Sequence, residues 1–96
     1  MSDALVIKPT RMNRRVLTAL LDAPAENHFL VALAKTARVN GGAMYTLIKQ
    51  MEIRGWLYSH WETDAEAKGR PRRKYYRLTE LGVREARALL ATREAH

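Results

Sequence analysis

Apolar residues recur at helical spacing in four stretches of the chain and alternate with polar residues in two short ones. The helical spacing predicts helices over residues 11–21, from 27 or 28 to 37, over 42–54 and from 80 to about 92. The alternation predicts strands over 56–61 and 73–78, joined as a hairpin by the loop 63–71. This order of elements is that of a winged helix-turn-helix, a mainly α fold with a small β-hairpin.

The predicted helix ends carry residues that start or stop a helix. Thr10 and Thr79 are expected N-caps of the first and last helices, because a threonine hydroxyl accepts a hydrogen bond from a free backbone N–H. Gly55 is expected at the C′ position of the third helix. Asn40 and the glycines after it are expected to take the positive φ or the cap geometry of a tight turn.

The third predicted helix has two different faces. At 100° per residue its apolar residues share one side, which is expected to be core: Met44, Leu47, Ile48 and Met51. The other side carries small groups, hydroxyls, an amide and a cation, with no acid before Glu52. Such a surface suits the base edges of a DNA major groove. The predicted DNA contacts of this helix are Gly42, Ala43, Tyr45, Thr46, Lys49 and Gln50.

Residues 68–77 hold six cations and no acid. Charges of one sign at this density repel one another unless an anion offsets the cost, which favours a loop that lies on a polyanion. The predicted DNA contacts of this wing are Lys68, Arg70, Arg72, Arg73 and Lys74. A smaller cluster, Arg11, Arg14 and Arg15, is expected to be a solvated face.

Length and composition narrow the class of protein. Ninety-six residues make one domain, expected to have an arm over residues 1–9 (with Leu5 to Ile7 available to dock), a body over 10–92 and a tail over 93–96. The net charge of +7 favours phosphate polymers. No apolar run approaches the ~20 residues of a membrane span, and the first ten residues lack the basic flank of a secretory signal. The absence of cysteine excludes disulfides and fits a cytosolic protein.

Catalytic and metal chemistry find no support in the sequence. Neither serine has a histidine and an acid at triad spacing, and the three histidines lack carboxylates at ligand spacing. We therefore expect no enzyme activity, no cofactor and no metal. Of the two tryptophans, Trp61 is expected in the hairpin core and Trp56, on the other strand face, is expected to be the freer.

Three motifs resemble the PadR family of bacterial transcription regulators over residues 12–90. They are Tyr45-x-x-Ile48-x-x-Met51-x-x-x-Gly55, then Leu57-x-Ser59-x-Trp61, then Gly69-Arg70-Pro71-x-Arg73-Lys74-Tyr75-Tyr76-Arg77-Leu78-Thr79-x-x-Gly82. The resemblance implies a homodimeric winged-helix repressor, and many members of that family are released from operators by small molecules. It places Tyr45, Thr46 and Lys49 at recognition-helix positions that meet DNA, and Trp61 and Tyr76 at positions that shape the hairpin. It matches four cations to the wing: Arg70, Arg72, Arg73 and Lys74. It also implies a protein of the prokaryotic cytoplasm, associated with the nucleoid.

The chain departs from the family pattern at two places. Thr46 stands where the family usually has a proline, which leaves the base preference open. The family usually has a longer C-terminal helix for dimerisation than the stretch after Thr79, so the resemblance is to a short form. Dimerisation is expected on the apolar stripe of the last helix, although the same stripe also fits an ordinary core: Val83, Ala86, Leu89 and Leu90.

The function predicted from these features is sequence-specific binding of double-stranded DNA by a transcriptional regulator, a homodimeric repressor on a pseudo-palindromic site. Residues 68–73 also look like an AT-hook core, so Arg70 is expected at the loop tip, where it would lie in a narrow A·T minor groove. An architectural DNA-binding factor of the excisionase or plasmid-partition type is the alternative. An RNA-binding or protein-binding winged helix ranks below both.

Overall fold

The structure, a computed structural model, describes residues 6–92. They form, in chain order, α1 (Arg11–Leu21), α2 (Leu30–Ala37), α3 (Gly41–Ile53), β1 (Leu57–Trp61), α4 (Asp64–Ala67), β2 (Lys74–Leu78) and α5 (Glu80–Leu90). Strands β1 and β2 pair as an antiparallel hairpin. The predicted winged helix-turn-helix is confirmed, with one short helix, α4, in the segment predicted as a plain loop.

Side-chain caps begin α1, α3 and α5. The Thr10 hydroxyl accepts from the backbone N–H of Asn13 at 3.2 Å, and the Thr79 hydroxyl from that of Gly82 at 2.9 Å, as predicted. At α3, the Asn40 side-chain oxygen accepts from the N–H of Ala43 at 3.0 Å. Each bond satisfies a donor that the first helical turn leaves without a partner.

The turn between α2 and α3 takes the cap geometry, one of the two conformations expected there. Asn40 has a φ of −70°, and the left-handed residue is Arg38, with a φ of 59°. Arg38 ends α2 in the manner usual for a C-terminal cap, and its N–H bonds to the carbonyls at the end of that helix. The cap geometry expected of residues 40–42 is therefore found at Asn40, the positive φ lies at Arg38, and α3 begins at Gly41, one residue earlier than predicted.

The core lies where α1, α3 and the hairpin meet. The apolar side of α3 predicted from its period is buried, and so are Val16, Leu17 and Leu20 of α1. Leu57, Tyr76 and Leu78 complete the core from the hairpin. This packing holds α3 firmly by one side and leaves its other side to solvent.

The sheet has a third participant that the sequence pattern did not reveal. Strand β1 pairs with β2 in the register Leu57↔Leu78 and Ser59↔Tyr76. On the other edge of β2, His28 donates its N–H to the Tyr76 carbonyl at 2.7 Å and accepts from the Tyr76 N–H at 2.8 Å. Because this bridge holds the backbone extended at residue 28, α2 begins at Leu30 and not at residue 27 or 28.

The two tryptophans exchange the environments that were expected of them. Trp56 is only 8% exposed, whereas Trp61 is 62% exposed. Trp56 precedes β1 and packs into the core, while Trp61 is at the far end of β1, opposite Lys74 and beyond the edge of the core. The expectation for both residues was wrong.

The ends of the described chain bear on two further predictions. Ile7 is buried in the core and Val6 is exposed, so the arm docks through Ile7. Leu5, the rest of residues 1–5 and the predicted tail over 93–96 lie outside the described residues. Arg14, predicted as part of a solvated cluster, donates from its guanidinium to the carbonyls of Leu90 and Thr92 at 2.9 Å each and so ties α1 to the end of α5.

Candidate nucleic-acid interface

The solvent side of α3 has the composition expected of a recognition helix. Tyr45 is 45% exposed, and Gly42, Ala43, Thr46 and Lys49 are exposed as well. Gln50, the sixth predicted contact, is half-buried. The Lys49 Nζ lies 5.7 Å from the centre of the Tyr45 ring, within the range of a cation–π interaction. The structure thus brings the predicted contacts of this helix together on one accessible side.

Lys49 is held in its charged form by two neighbours. Tyr45, and after it Glu52, raise the pKa of Lys49 above its ordinary value. Its Nζ lies 3.5 Å from a Glu52 oxygen, and the other Glu52 oxygen accepts a hydrogen bond from the Ser59 hydroxyl at 2.9 Å. Glu52 therefore connects the end of α3 to β1 and steadies the cation beside the exposed helix side.

The segment between the strands is a folded tip. Thr63 and Glu66 form a reciprocal capping box at the start of α4, with bonds of 3.1 Å and 2.8 Å. Lys68 and Gly69 then take positive φ values of 52° and 88°, which turn the chain back toward β2. The predicted plain loop was wrong at residues 64–67 because the capping box nucleates a helical turn there.

Glu62 forms ion pairs with two of the predicted wing cations, Arg70 and Arg73. One Glu62 oxygen accepts from Arg70 Nη1 at 2.6 Å and the other accepts from Arg70 Nη2 at 2.8 Å. The Arg73 guanidinium contacts the same carboxylate at 3.3 Å, and the Arg73 backbone N–H donates to it at 2.9 Å. The bonds from Arg70, and then those from Arg73, hold the pKa of Glu62 far below its ordinary value. Arg70 therefore does not extend from the loop tip as the AT-hook hypothesis expected.

Of the remaining wing cations, Lys68 and Arg72 face solvent, whereas Lys74 and Arg77 are half-buried. Lys68 and Arg72 are exposed, and Arg72 makes a 3.7 Å ion pair with Asp64, whose side chain is 99% exposed. Such surface pairs contribute little and are readily exchanged for another anion. Lys74 lies 5.6 Å above the Tyr76 ring. Arg77, the sixth cation of the run, donates to the Asn27 side-chain oxygen at 3.1 Å and so supports the turn before α2.

A groove joins the exposed side of α3 to the base of the wing. It has a volume of about 640 Å³, and α2, α3 and the hairpin all line it. Its cations are Lys35, Arg73 and Lys74, and Tyr45 forms part of its wall. No acid is among its lining residues. The two predicted DNA-contacting elements thus border one positively charged surface.

The predicted dimerisation residues lie along one side of α5. Ala86 is fully enclosed by its own chain, while Val83, Leu89 and Leu90 are half-buried against the same core. The accessible part of this stripe is therefore the outer surface of Val83, Leu89 and Leu90. Self-association through it stays a prediction.

The described residues contain neither a metal-ligand cluster nor a membrane-spanning helix. Between residues 6 and 92 no three histidine or acidic side chains are grouped as metal ligands would be. None of the helices formed by these residues is both long and apolar enough to cross a bilayer.

The main functional residue missed by sequence reasoning is Glu62. The charge count took every arginine of the wing to be available for contact with DNA. However, Glu62 directly follows a predicted strand, and the partner strand begins near Arg73. In a hairpin those two positions lie opposite each other, and the backbone N–H of Glu62 indeed donates to the Arg73 carbonyl at 2.8 Å. That register was the available signal.

The fold defines the class: a winged-helix protein in which the polar side of α3 is accessible. Residues 28–88 match the Transcriptional regulator PadR-like family, and the chain belongs to that family. No curated protein is significantly similar to the sequence. The family is one of transcription regulators and its fold is one that binds DNA, so the resemblance seen in the sequence is confirmed.

Solved structures with this fold come from two regulator families. A PadR family transcription regulator from hypervirulent Clostridium difficile has 24% identity and a TM-score of 0.64, over 80% of each chain. A MarR family regulator from Silicibacter pomeroyi DSS-3 has 27% identity and a TM-score of 0.57. A point mutant of MepR from a multidrug-resistant S. aureus clinical isolate has 17% identity and a TM-score of 0.65. These two align with 84% and 86% of this chain, which spans about half their length, 52% and 56% respectively.

Proposed function

We propose that this protein is a sequence-specific regulator of transcription that binds double-stranded DNA as a homodimer and represses the gene it controls. The observation that carries the proposal is the groove bordered by α3 and the wing, whose lining residues include three cations and no acid. A surface of this kind meets phosphate on both sides of a major groove while the helix between them reaches base edges.

The recognition helix supplies the sequence-dependent contacts. Tyr45, Thr46 and Lys49 face solvent on the second and third turns of α3. Gly42 and Ala43 lie at the helix start, where the absence of a bulky side chain allows the backbone to approach DNA closely. Lys49 donates well to the acceptor atoms of guanine, and the hydroxyl of Thr46 serves either base type.

The wing supplies contacts that do not depend on sequence. Lys68 and Arg72 are exposed at its tip, and Lys74 lies at its base beside the groove. Each phosphate that such a cation neutralises releases counterions. These residues therefore raise the affinity for every duplex by the same factor and make binding more dependent on salt.

Dimerisation places two such surfaces on one duplex. Two copies related by a twofold axis present their α3 helices about one turn of DNA apart, ~34 Å, and so favour a pseudo-palindrome. The accessible apolar side of α5, at Val83, Leu89 and Leu90, supports this association. Repression follows from occupation of an operator that overlaps a promoter.

Selection of bound duplexes from a random pool tests the proposal. We expect a pseudo-palindromic consensus with half-sites about 10 base pairs apart. Lys49→Ala should change the preferred base at one position of each half-site, whereas Lys68→Ala, the matched loss of a lysine in the wing, should weaken all duplexes alike. Enrichment of no consensus, or equal weakening of every duplex by Lys49→Ala, would contradict the assignment of base contacts to α3.

A further inference from the structure

The tip of the wing is organised independently of any partner. Ala67 is buried beneath the turn, and the Arg70 N–H donates to the Ala67 carbonyl at 3.2 Å. Lys68 and Gly69 take the left-handed conformation that closes α4. Beneath this turn, the backbone N–H of Glu62 continues the hairpin ladder with the Arg73 carbonyl at 2.8 Å.

One carboxylate holds the two ends of this tip together. Glu62 is 5% exposed, the buried charged residue of the described chain. It binds the Arg70 guanidinium through two bonds and the Arg73 backbone through a third, and paired bonds of this kind fix geometry as well as adding energy. Arg70 and Arg73 flank Arg72 in the chain, and all three side chains are partly exposed, at 40%, 52% and 57% for Arg70, Arg73 and Arg72. Because Glu62 fixes the first two, it also limits where Arg72 projects.

An acid at this position has an electrostatic cost for a DNA-binding surface. A negative charge beside phosphate lowers affinity unless its structural effect offsets the repulsion. Two opposite consequences can therefore be distinguished. Either Glu62 orders the tip and so raises affinity, or Glu62 competes with phosphate for the two arginines and so lowers it.

We propose that Glu62 is a positioning residue of the wing, whose ion pairs with Arg70 and Arg73 fix the shape of the tip, and that Lys68 and Arg72 are the tip cations that meet phosphate. The proposal rests on the DNA-binding function proposed above. Ordering the tip before DNA arrives removes part of the entropy cost of binding, because those side chains and that loop are already fixed. Arg70 is thereby assigned a structural role in place of the predicted DNA contact.

The first test compares two substitutions that each remove one negative charge from the wing. Glu62→Gln keeps the shape and loses the anchor, while Asp64→Asn removes an acid whose side chain is almost fully exposed. We expect Glu62→Gln to weaken binding to a duplex of defined sequence about tenfold. This factor corresponds to a loss of binding free energy about equal to that of one charge-assisted hydrogen bond. Asp64→Asn should bind as tightly as wild type or slightly more tightly. The slope of log K against log salt should be unchanged in Glu62→Gln.

The opposite outcome is equally clear. If Glu62 competes with phosphate, Glu62→Gln should bind more tightly and its salt slope should steepen by about 1.8, as expected for two freed guanidinium groups at ~0.9 each. That result would overturn the proposal.

Hydrogen exchange in the absence of DNA separates this proposal from the proposed function. In Glu62→Gln the amides of residues 63–73 should exchange faster than in wild type, while the core amides of α1 and α3 keep their protection. Unchanged protection of the tip would overturn the proposal even if DNA binding is normal. Failure of wild type to bind any duplex would overturn the proposed function and leave the exchange result to decide the role of Glu62.

Arg70→Gln provides a second variant that does not depend on how Glu62→Gln folds. A structural role for Arg70 predicts faster exchange at the tip and an unchanged salt slope. A direct phosphate contact predicts normal exchange and a slope shallower by about 0.9. The second pattern would overturn the assignment of Arg70.

Discussion

Gly82 is required by a close approach between α5 and the backbone before β1. A Cβ atom at this position would lie 2.0 Å from the Trp56 carbonyl oxygen and 2.8 Å from its carbonyl carbon, where real Cβ contacts are not found under 3.0 Å. Both groups are backbone, and the Thr79 N–H bonds to the same Trp56 oxygen at 3.0 Å. An alanine therefore moves α5 away from the hairpin by about 1 Å or more and strains this junction.

The expected cost of Gly82→Ala follows from two opposing effects. Overpacking against backbone lowers the free energy of unfolding by about 3 kcal/mol. The better helix propensity of alanine raises it by about 1 kcal/mol. The net loss of about 2 kcal/mol lowers Tm by roughly 8–16 °C for a domain of this size. Thermal unfolding followed by circular dichroism measures it.

Gly41→Ala is the matched control for this prediction. A Cβ at Gly41 meets no atom within 4 Å, so the substitution should leave Tm unchanged or raise it slightly. If Gly82→Ala melted within about 2 °C of wild type, less than the shift expected from even 1 kcal/mol, the packing of α5 on the hairpin described above would be incorrect.

Three further predictions concern the wing, the start of α3 and pH. Arg72→Ala should weaken specific and random duplexes by the same factor and make the salt slope shallower by about 0.9; a loss confined to one sequence would contradict its assignment to phosphate. Asn40→Ala should lower the free energy of unfolding by about 1 kcal/mol, since α3 loses its cap, and an unchanged midpoint of chemical denaturation would refute this. Since the folded-state pKa of Glu62 is depressed below its ordinary 4.5, its stabilising effect is complete above pH 4.5 and is lost as the pH falls toward the folded pKa. The Tm difference between wild type and Glu62→Gln should therefore be constant from about pH 5 to 8 and shrink below about pH 4.5, and a difference that grew on acidification would contradict it.

Most of the helical framework could be predicted from the sequence. The bounds of α1 agree with the prediction, and the buried side of α3 comprises the four residues that its period placed there. These successes share a cause, because in both helices the local hydrophobic period and the tertiary packing favour the same side.

The errors arise where distant pairing decides local structure. The start of α2 depends on a bridge between His28 and Tyr76, which are far apart in sequence, and no local pattern contains it. The two tryptophans show a related limit: alternation assigns a residue to a strand face but does not say how far along the strand the core extends. Trp61 is on the core face of β1 but beyond the end of the core.

The position of the basic hairpin and of the exposed side of α3 could be predicted from the sequence, but the ion pairs within the hairpin could not. Charge density located the wing, and the exposed side of α3 followed from its period. The commitment of Arg70 and Arg73 to Glu62 depends on the register of the hairpin and on the fold of its tip, which only the structure supplies. In a run of cations, the side chains that pair with acids of the same chain therefore need to be identified before DNA contacts are assigned.

Sequence-specific binding of DNA by a dimer is tested most directly by fluorescence anisotropy. The measurement compares a selected duplex with a scrambled duplex of equal length across a salt series. A sequence-specific dimeric regulator predicts a selected site bound at least ~10³-fold more tightly than the scrambled one, with two chains per duplex. Equal and steeply salt-dependent affinity for both duplexes would contradict sequence-specific regulation and favour an architectural role. No binding at low salt would contradict the assignment of the α3–wing surface to DNA.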